Sequence, residues 1–171
     1  PSELTPLTAD LLMKSIDEVG LPKGVINLIH GDGMGAGAPL VSHEDVDLVS
    51  FTGGTSTGAN VAQSAAVSFK KLSLELGGKN ASIIFDDCDL EKTVPGVVRS
   101  GFLNQGQVCL CGSRILVQEN VYDKFVDRFV NEVENMKIGD PSNEDTKLGA
   151  LISPEHLSKV EEYIQIAKDE G

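Results

Sequence analysis

The chain has 171 residues, 40% hydrophobic and 23% charged, with a formal net charge of -12. That is enough apolar content for a real core and gives a length prior of one or two domains. It argues against a nucleic-acid binder, which needs a basic stripe to neutralise phosphates, and no apolar run is long enough to span a bilayer.

Three cysteines cannot all pair, and a disulfide-rich secreted domain would carry more, so reduced thiols in a cytoplasmic setting are expected. No basic region followed by an apolar core opens the chain. The ends, PSELTP without a Met and AKDEG, suggest a piece of a longer protein.

Taken in chain order, TPLTADLLMKSIDEVGLP reads as a helix capped by Thr5, with Pro6 at its first position, where no amide donor is needed. Leu11, Leu12, Ser15, Ile16 and Val19 share one face, and Gly20 with Pro22 ends it. GVINLIH reads as a short β-branched strand, and GDGMGAGAPL turns into a short helix. VDLVSFT, Val46 to Thr52, is an apolar strand of the kind buried in a parallel sheet. GGTSTG then leads into a small-residue helix. KLSLEL and ASIIF are strands, and DDCD turns into a helix from near Asp89. Pro95 predicts an early kink or a delayed start there. SRILVQE is a strand. VYDKFVDRFVNEVENM is an amphipathic helix with Val121, Phe125, Val126, Phe129 and Val133 on one side. KIGDPSNED is a loop, and Ser153 caps a last helix with Pro154 at its first position. Strands alternating with helices predict an α/β fold with parallel strands and right-handed crossovers. A composition shift near ELGGK marks a domain junction.

Several stretches carry candidate chemistry. IHGDGMGAGA holds Gly31, Gly33, Gly35 and Gly37 between a strand and a helix, a loose dinucleotide fingerprint that a plain glycine-rich turn explains as well. FTGGTSTG is more specific. A buried strand ends in two glycines, and Thr55, Ser56 and Thr57 enter a helix whose free amides and dipole suit a phosphate. LELGGK places Glu75 at the end of an apolar strand, where poor solvation raises a carboxylate pKa and suits a general base. Standing alone, Glu75 would read as an exposed strand-end glutamate.

FLNQGQVCLCGSR carries Cys109 and Cys111. As zinc ligands they lack partners, because His30, His43 and His156 are scattered. A disulfide between residues i and i+2 is strained. A buried core thiol is common. A nucleophile would need access, amide donors and a base elsewhere, and NQGQVC offers the first two. On the residues alone, the core and nucleophile readings both stand. Cys88, among the aspartates of DDCDL, reads as structural.

Together these segments resemble the aldehyde dehydrogenase superfamily over essentially the whole chain. FTGGTSTG is similar to the family's cofactor loop, LELGGK to its general-base motif and FLNQGQVCLCGSR to its nucleophile motif. The resemblance implies a Rossmann-like parallel sheet, here as a partial chain spanning two domains. Residues 1–78 would be the C-terminal part of the NAD-binding domain and 79–171 the N-terminal part of the catalytic domain. It implies Cys109 as the thiol that attacks an aldehyde, Glu75 as the base that activates water, and NAD as cofactor. Cofactor contacts would fall on Glu3, which holds the adenosine ribose hydroxyls, and on Gly33, Thr52, Gly53, Gly54, Thr55, Gly58 and Leu76. Cys111 matches no catalytic position. No metal is implied.

The resemblance also implies homo-oligomerisation of a full-length protein, a small-molecule aldehyde as substrate, and an inactive isolated segment. The family's oxyanion asparagine and the lysine that partners Glu3 would lie before Pro1, and the glutamate that holds the nicotinamide ribose beyond Gly171. Gly54 departs from the serine many members carry, leaving Thr55 or Ser56 to supply a hydroxyl. KKLSLELGGKN, VCLCGSRILVQ and LGALIS look most like a branch of the family that acts on semialdehydes. A non-catalytic NAD-binding or structural protein on the same fold is the alternative.

Overall fold

Four short strands pair in parallel, two by two, and a single helix joins the members of each pair. In this computed structural model, which describes residues 1–171, β1 (Leu48–Gly53) lies beside β2 (Lys71–Leu76), in register from Leu48↔Lys71 to Gly53↔Leu76. β3 (Ala81–Ile84) lies beside β4 (Arg114–Val117), from Ala81↔Arg114 to Ile84↔Val117. Parallel neighbours cannot be closed by a hairpin, so α3 (Thr55–Ala66) and α4 (Leu90–Phe102) serve as crossovers. This is the α/β pattern expected from the sequence. The chain divides into two units, Pro1–Leu76 and Gly77–Gly171.

In the first unit α1 (Leu7–Val19) begins one residue away from the expected place. Pro6 itself is the N-cap, already at helical φ -81 and ψ -21, and its carbonyl accepts from Ala9 and Asp10 at 3.0 and 3.1 Å. Thr5 therefore does not cap the helix; its amide donates to the Ser2 carbonyl instead, at 3.1 Å. Gly20, at φ 79, ends the helix as its sequence position indicates. The apolar face is only partly covered, since Leu11, Leu12 and Val19 are exposed.

GVINLIH does not form a strand. Its β-branched residues suit a pleated surface, but no neighbouring strand offers a ladder, and Gly24 at φ 88 turns the backbone out of extended geometry. Gly33–Gly37 forms one wide π-type turn, fixed by the Asp32 carboxylate accepting from the Gly35 amide, before α2 (Ala38–Ser42). The Lys70 ammonium then ties the approach to β1 by donating to the carbonyls of Val46, at 2.7 Å, and His43.

The second unit has a denser centre. Ile84, Val94, Val97, Val98, Val121 and Phe125 are buried together, with Phe102, Phe129, Val126 and Val133 packed against them. The Phe125 and Phe129 rings stack at 5.5 Å. This is the face predicted for the amphipathic helix, which is α5 (Tyr122–Glu134). α4 is capped by Asp89, whose carboxylate accepts from the Glu91 amide at 3.1 Å, and it runs unbroken through Pro95 to Phe102. The delayed start does not occur, because the helix begins at Leu90, before the proline. The donor that proline lacks would have served the carbonyl of Glu91 on the exposed side, while Val94, Val97 and Val98 hold the helix from the core side. α6 (Pro154–Glu170) starts as expected, with the Ser153 hydroxyl accepting from the His156 amide at 3.2 Å, and buries none of its residues. No helix is long and apolar enough to cross a membrane.

Candidate active site

The first unit gathers its candidate residues at the carboxyl ends of its two strands. The parallel register sets Thr52 opposite Glu75 and Gly53 opposite Leu76. α3 starts directly after them, with Gly54 as its N-cap and Thr55 as its first residue. No side chain caps this helix, and the Gly58 amide is the first to return to the helix, donating to the Gly54 carbonyl at 2.9 Å. The amides of Thr55, Ser56 and Thr57 have no acceptor in the chain. A Cβ at Gly54 would meet nothing within 4 Å, so the approach to these amides is open. Strand ends plus a helix N-terminus make the usual ligand edge of an open α/β sheet.

Gly58 plays a different part. It is buried, and a Cβ there would stand 2.5 Å from Leu76 Cδ2. Its missing side chain lets α3 close on β2 and fixes Leu76 at the strand end, so Gly58 is a packing position rather than an open backbone contact. Glu3 is exposed in a turn, and Gly33 lies in the π-type turn with open space where a Cβ would be. Glu75 is exposed, contrary to the expected poor solvation. It lies on a strand whose only ladder partner is β1.

The second unit builds the cysteine loop. All three cysteines are free: Cys109 is exposed, Cys111 buried and Cys88 half-buried against the core. A hydrogen-bonded turn separates the first two. The Cys111 amide donates to the Val108 carbonyl at 2.9 Å, and the Val108 amide donates back to Cys111 Sγ at 3.3 Å. Cys111 thereby anchors the turn that presents Cys109. The Cys109 amide has no acceptor in the chain.

Other ties come from residues the sequence reading did not single out. Arg114 Nε donates to the Lys79 carbonyl at 2.9 Å, and the Arg114 amide donates to the Asn80 carbonyl at 3.1 Å. The Asn80 side-chain amide reaches the Cys109 carbonyl in a longer contact of 3.5 Å. The segment GGKN and the cysteine loop are thus held side by side. Gly112 is packed to its limit, since a Cβ there would stand 2.3 Å from Ser82 Oγ and 2.7 Å from Ser100 Oγ. Nothing in the motif spacing pointed to Asn80 or Arg114. Only the strand register, Ala81 opposite Arg114, brings them together.

Just before the turn the backbone is left-handed at three successive residues: Asn104 (φ 51), Gln105 (φ 57) and Gly106 (φ 70). Glycine and asparagine adopt this conformation readily, whereas glutamine does so at a cost of roughly 1–2 kcal/mol.

The model of the aldehyde dehydrogenase family matches residues 1–171. The chain belongs to that family. It is 50% identical over 171 residues to mouse 2-aminomuconic semialdehyde dehydrogenase, covering 100% of this chain and 35% of that protein. Against betaine aldehyde dehydrogenase of Bacillus subtilis strain 168 it is 45% identical, again covering 100% of this chain and 35% of the relative. The crystal structure of Staphylococcus aureus betaine aldehyde dehydrogenase in complex with NAD+ superimposes with a TM-score of 0.96 at 47% identity, over 100% of this chain and 34% of that one. This aldehyde dehydrogenase segment therefore spans about a third of the length of the curated relatives it matches.

Proposed function

We propose that residues 1–78 form the C-terminal part of the NAD-binding domain, and 79–171 the N-terminal part of the catalytic domain, of an NAD-dependent aldehyde dehydrogenase. The reaction is oxidation of an aldehyde to a carboxylic acid, with a semialdehyde such as 2-aminomuconic semialdehyde as the favoured substrate. The observation that carries the reading is Cys109. It is an exposed free thiol with an unpaired amide of its own, on a loop bonded to the residues that directly follow LELGG. The names of the relatives support the substrate class.

In this reading the Cys109 thiolate attacks the aldehyde carbon, a C–S bond forms, and the carbonyl electron pair moves to oxygen. The free Cys109 amide donates to that oxyanion. Bound NAD would supply the acceptor for the hydride that leaves the former aldehyde carbon as its C=O re-forms, and Cys109 would then hold the acyl group as a thioester. Glu75, open to water, removes a proton from a water molecule. The water oxygen attacks the thioester carbon, and the Cys109 thiolate departs.

The cofactor fits the residues present. The unpaired amides of Thr55, Ser56 and Thr57 would donate to the pyrophosphate, with the backbone of Thr52, Gly53 and Gly54 directly before them and that of Gly33 as a further contact. The Glu3 carboxylate would accept from ribose hydroxyls, and Leu76, held by Gly58, would lie beside the nicotinamide.

The test is a chimera in which these 171 residues replace the matched segment of the mouse relative, an exchange over 171 aligned residues. NADH formation from an aldehyde is expected. Cys109→Ala should abolish it, Glu75→Gln should let the acyl-enzyme accumulate to a level visible by mass spectrometry, and Cys111→Ala, which loosens the turn, should lower turnover without abolishing it. The 171-residue chain alone should form no NADH. Turnover in the Cys109→Ala chimera would overturn the reading.

A further inference from the structure

The left-handed run before the cysteine turn needs something to hold it, and Gln105 is the residue whose backbone suits it least. Its side chain is half-buried against Gly149. In the amide orientation that satisfies both ends, Gln105 Oε1 accepts from the Gly149 amide at 2.9 Å, and Nε2 donates to the Asn104 carbonyl at 3.0 Å. The Gly149 amide has no other acceptor in the chain, because the adjoining bridge uses the amides of Leu148 and Gly139. One side chain therefore clamps the strained turn at one end and the LGALIS segment at the other.

We infer that Gln105 is a positioning residue for Cys109. By pairing with the Gly149 amide and the Asn104 carbonyl, it holds residues 104–106 left-handed and so fixes the turn that presents the thiol. The inference rests on the reading of Cys109 as the reacting group, and one half of its test does not depend on that reading.

The experiment compares the chain with Gln105→Gly, Gln105→Asn and Gln105→Glu. Glycine and asparagine suit left-handed backbone better than glutamine, but glycine has no side chain and asparagine is one methylene short of the Gly149 amide. Glutamate keeps an acceptor for that amide at full length. Loss of a single hydrogen bond should speed amide exchange about three- to tenfold.

Expected are faster exchange at Gly149 and Cys111 in the Gly and Asn variants, with glutamate restoring Gly149 protection. Iodoacetamide labelling of Cys109, read residue by residue, should fall about threefold or more in Gly and Asn and recover in Glu, with Cys88 constant. A Gly149 amide that exchanges freely in the parent chain, or Gly and Asn variants as protected as the parent, would overturn the tether. If the tether holds but Cys109 labels no faster than Cys88 in the parent chain, the nucleophile assignment fails. Gln105 is then a loop anchor and the positioning role is refuted.

Discussion

The two βαβ segments share a topology and differ in what they bury. Around β3, β4 and α4, six apolar residues are buried in one cluster, and α5 seals it with Phe125, which is only 2% exposed. Around β1, β2 and α3, only Gly58, Val61 and Ala65 are buried, and α1 buries nothing. A single crossover helix covers one face of a strand pair, and a second helix is needed to close a core around it. The cysteine loop therefore sits on the better-packed scaffold. The candidate cofactor edge sits on one held mainly by backbone ladder and by the close approach of Gly58 to Leu76.

That contrast can be broken most forcefully at Phe125. Phe125→Ala should destabilise the second unit by about 3–5 kcal/mol, because it removes a fully buried ring and leaves a cavity. In amide exchange, protection should collapse in β3, α4 and α5 and stay unchanged in α3. Equal loss in both units would show that they unfold as one.

A smaller effect belongs to Gly112→Ala. Its new Cβ collides with two serine hydroxyls, one on β3 and one on α4, at a cost of about 1–3 kcal/mol in chemical denaturation. The double change Gly112→Ala with Ser82→Gly should recover part of it.

The third change sharpens the contrast from the other side. Phe69 is 95% exposed and sits at φ 53 just past α3, where its amide donates to Ala66 and that of Lys70 to Ala65. This is a left-handed helix end, which glycine suits. Phe69→Gly should stabilise the first unit by about 1 kcal/mol in the same measurement.

The smallest effect is that of acid. Hydrogen bonding to its own backbone amide, then to Ser153, holds the Glu155 carboxyl below its usual range at the start of α6. The Ser142 hydroxyl, then the Ser142 amide, does the same for Asp140. A depressed carboxyl pKa adds stability that is present above the ordinary carboxylate pKa and lost as pH falls through the folded value. Both groups are exposed, so Ser153→Ala should narrow the acid loss only slightly in a pH-dependent denaturation series.

Much of this architecture is legible in the sequence. The strand Lys71–Leu76, the helix start near Asp89, the Ser153 cap and the α5 face follow from local rules of period and capping, and all stand. The misreadings came where local signals meet non-local partners. GVINLIH has strand composition without a neighbour to pair with. Pro95 has breaker chemistry on a helix that continues through it against the core. Glu75 lies in an apolar run, yet its side chain is open to solvent. At the site, Cys109 and Glu75 stand out through the family resemblance, while on the residues alone a core thiol and an exposed strand-end glutamate stay open. The clamp of Arg114 on Lys79, the carbonyl of Cys109 facing Asn80 and the left-handed Gln105 cannot be read from either, because each depends on chain segments far apart in sequence.

The register Ala81↔Arg114 has a consequence for how this loop tolerates change. Because the two strands run parallel and start level, the excursion through α4 and the cysteine turn leaves at Ile84 and returns at Arg114, beside Ala81 at the other end of the ladder, so the ladder acts as a ruler for the thiol. A slip of one residue would slide Cys109 about 3.3 Å along GGKN and turn every β4 side chain to the opposite face. Insertions far from Cys109, in the turn between β3 and α4, would leave that ruler untouched. A single residue added between Cys111 and Arg114 would not.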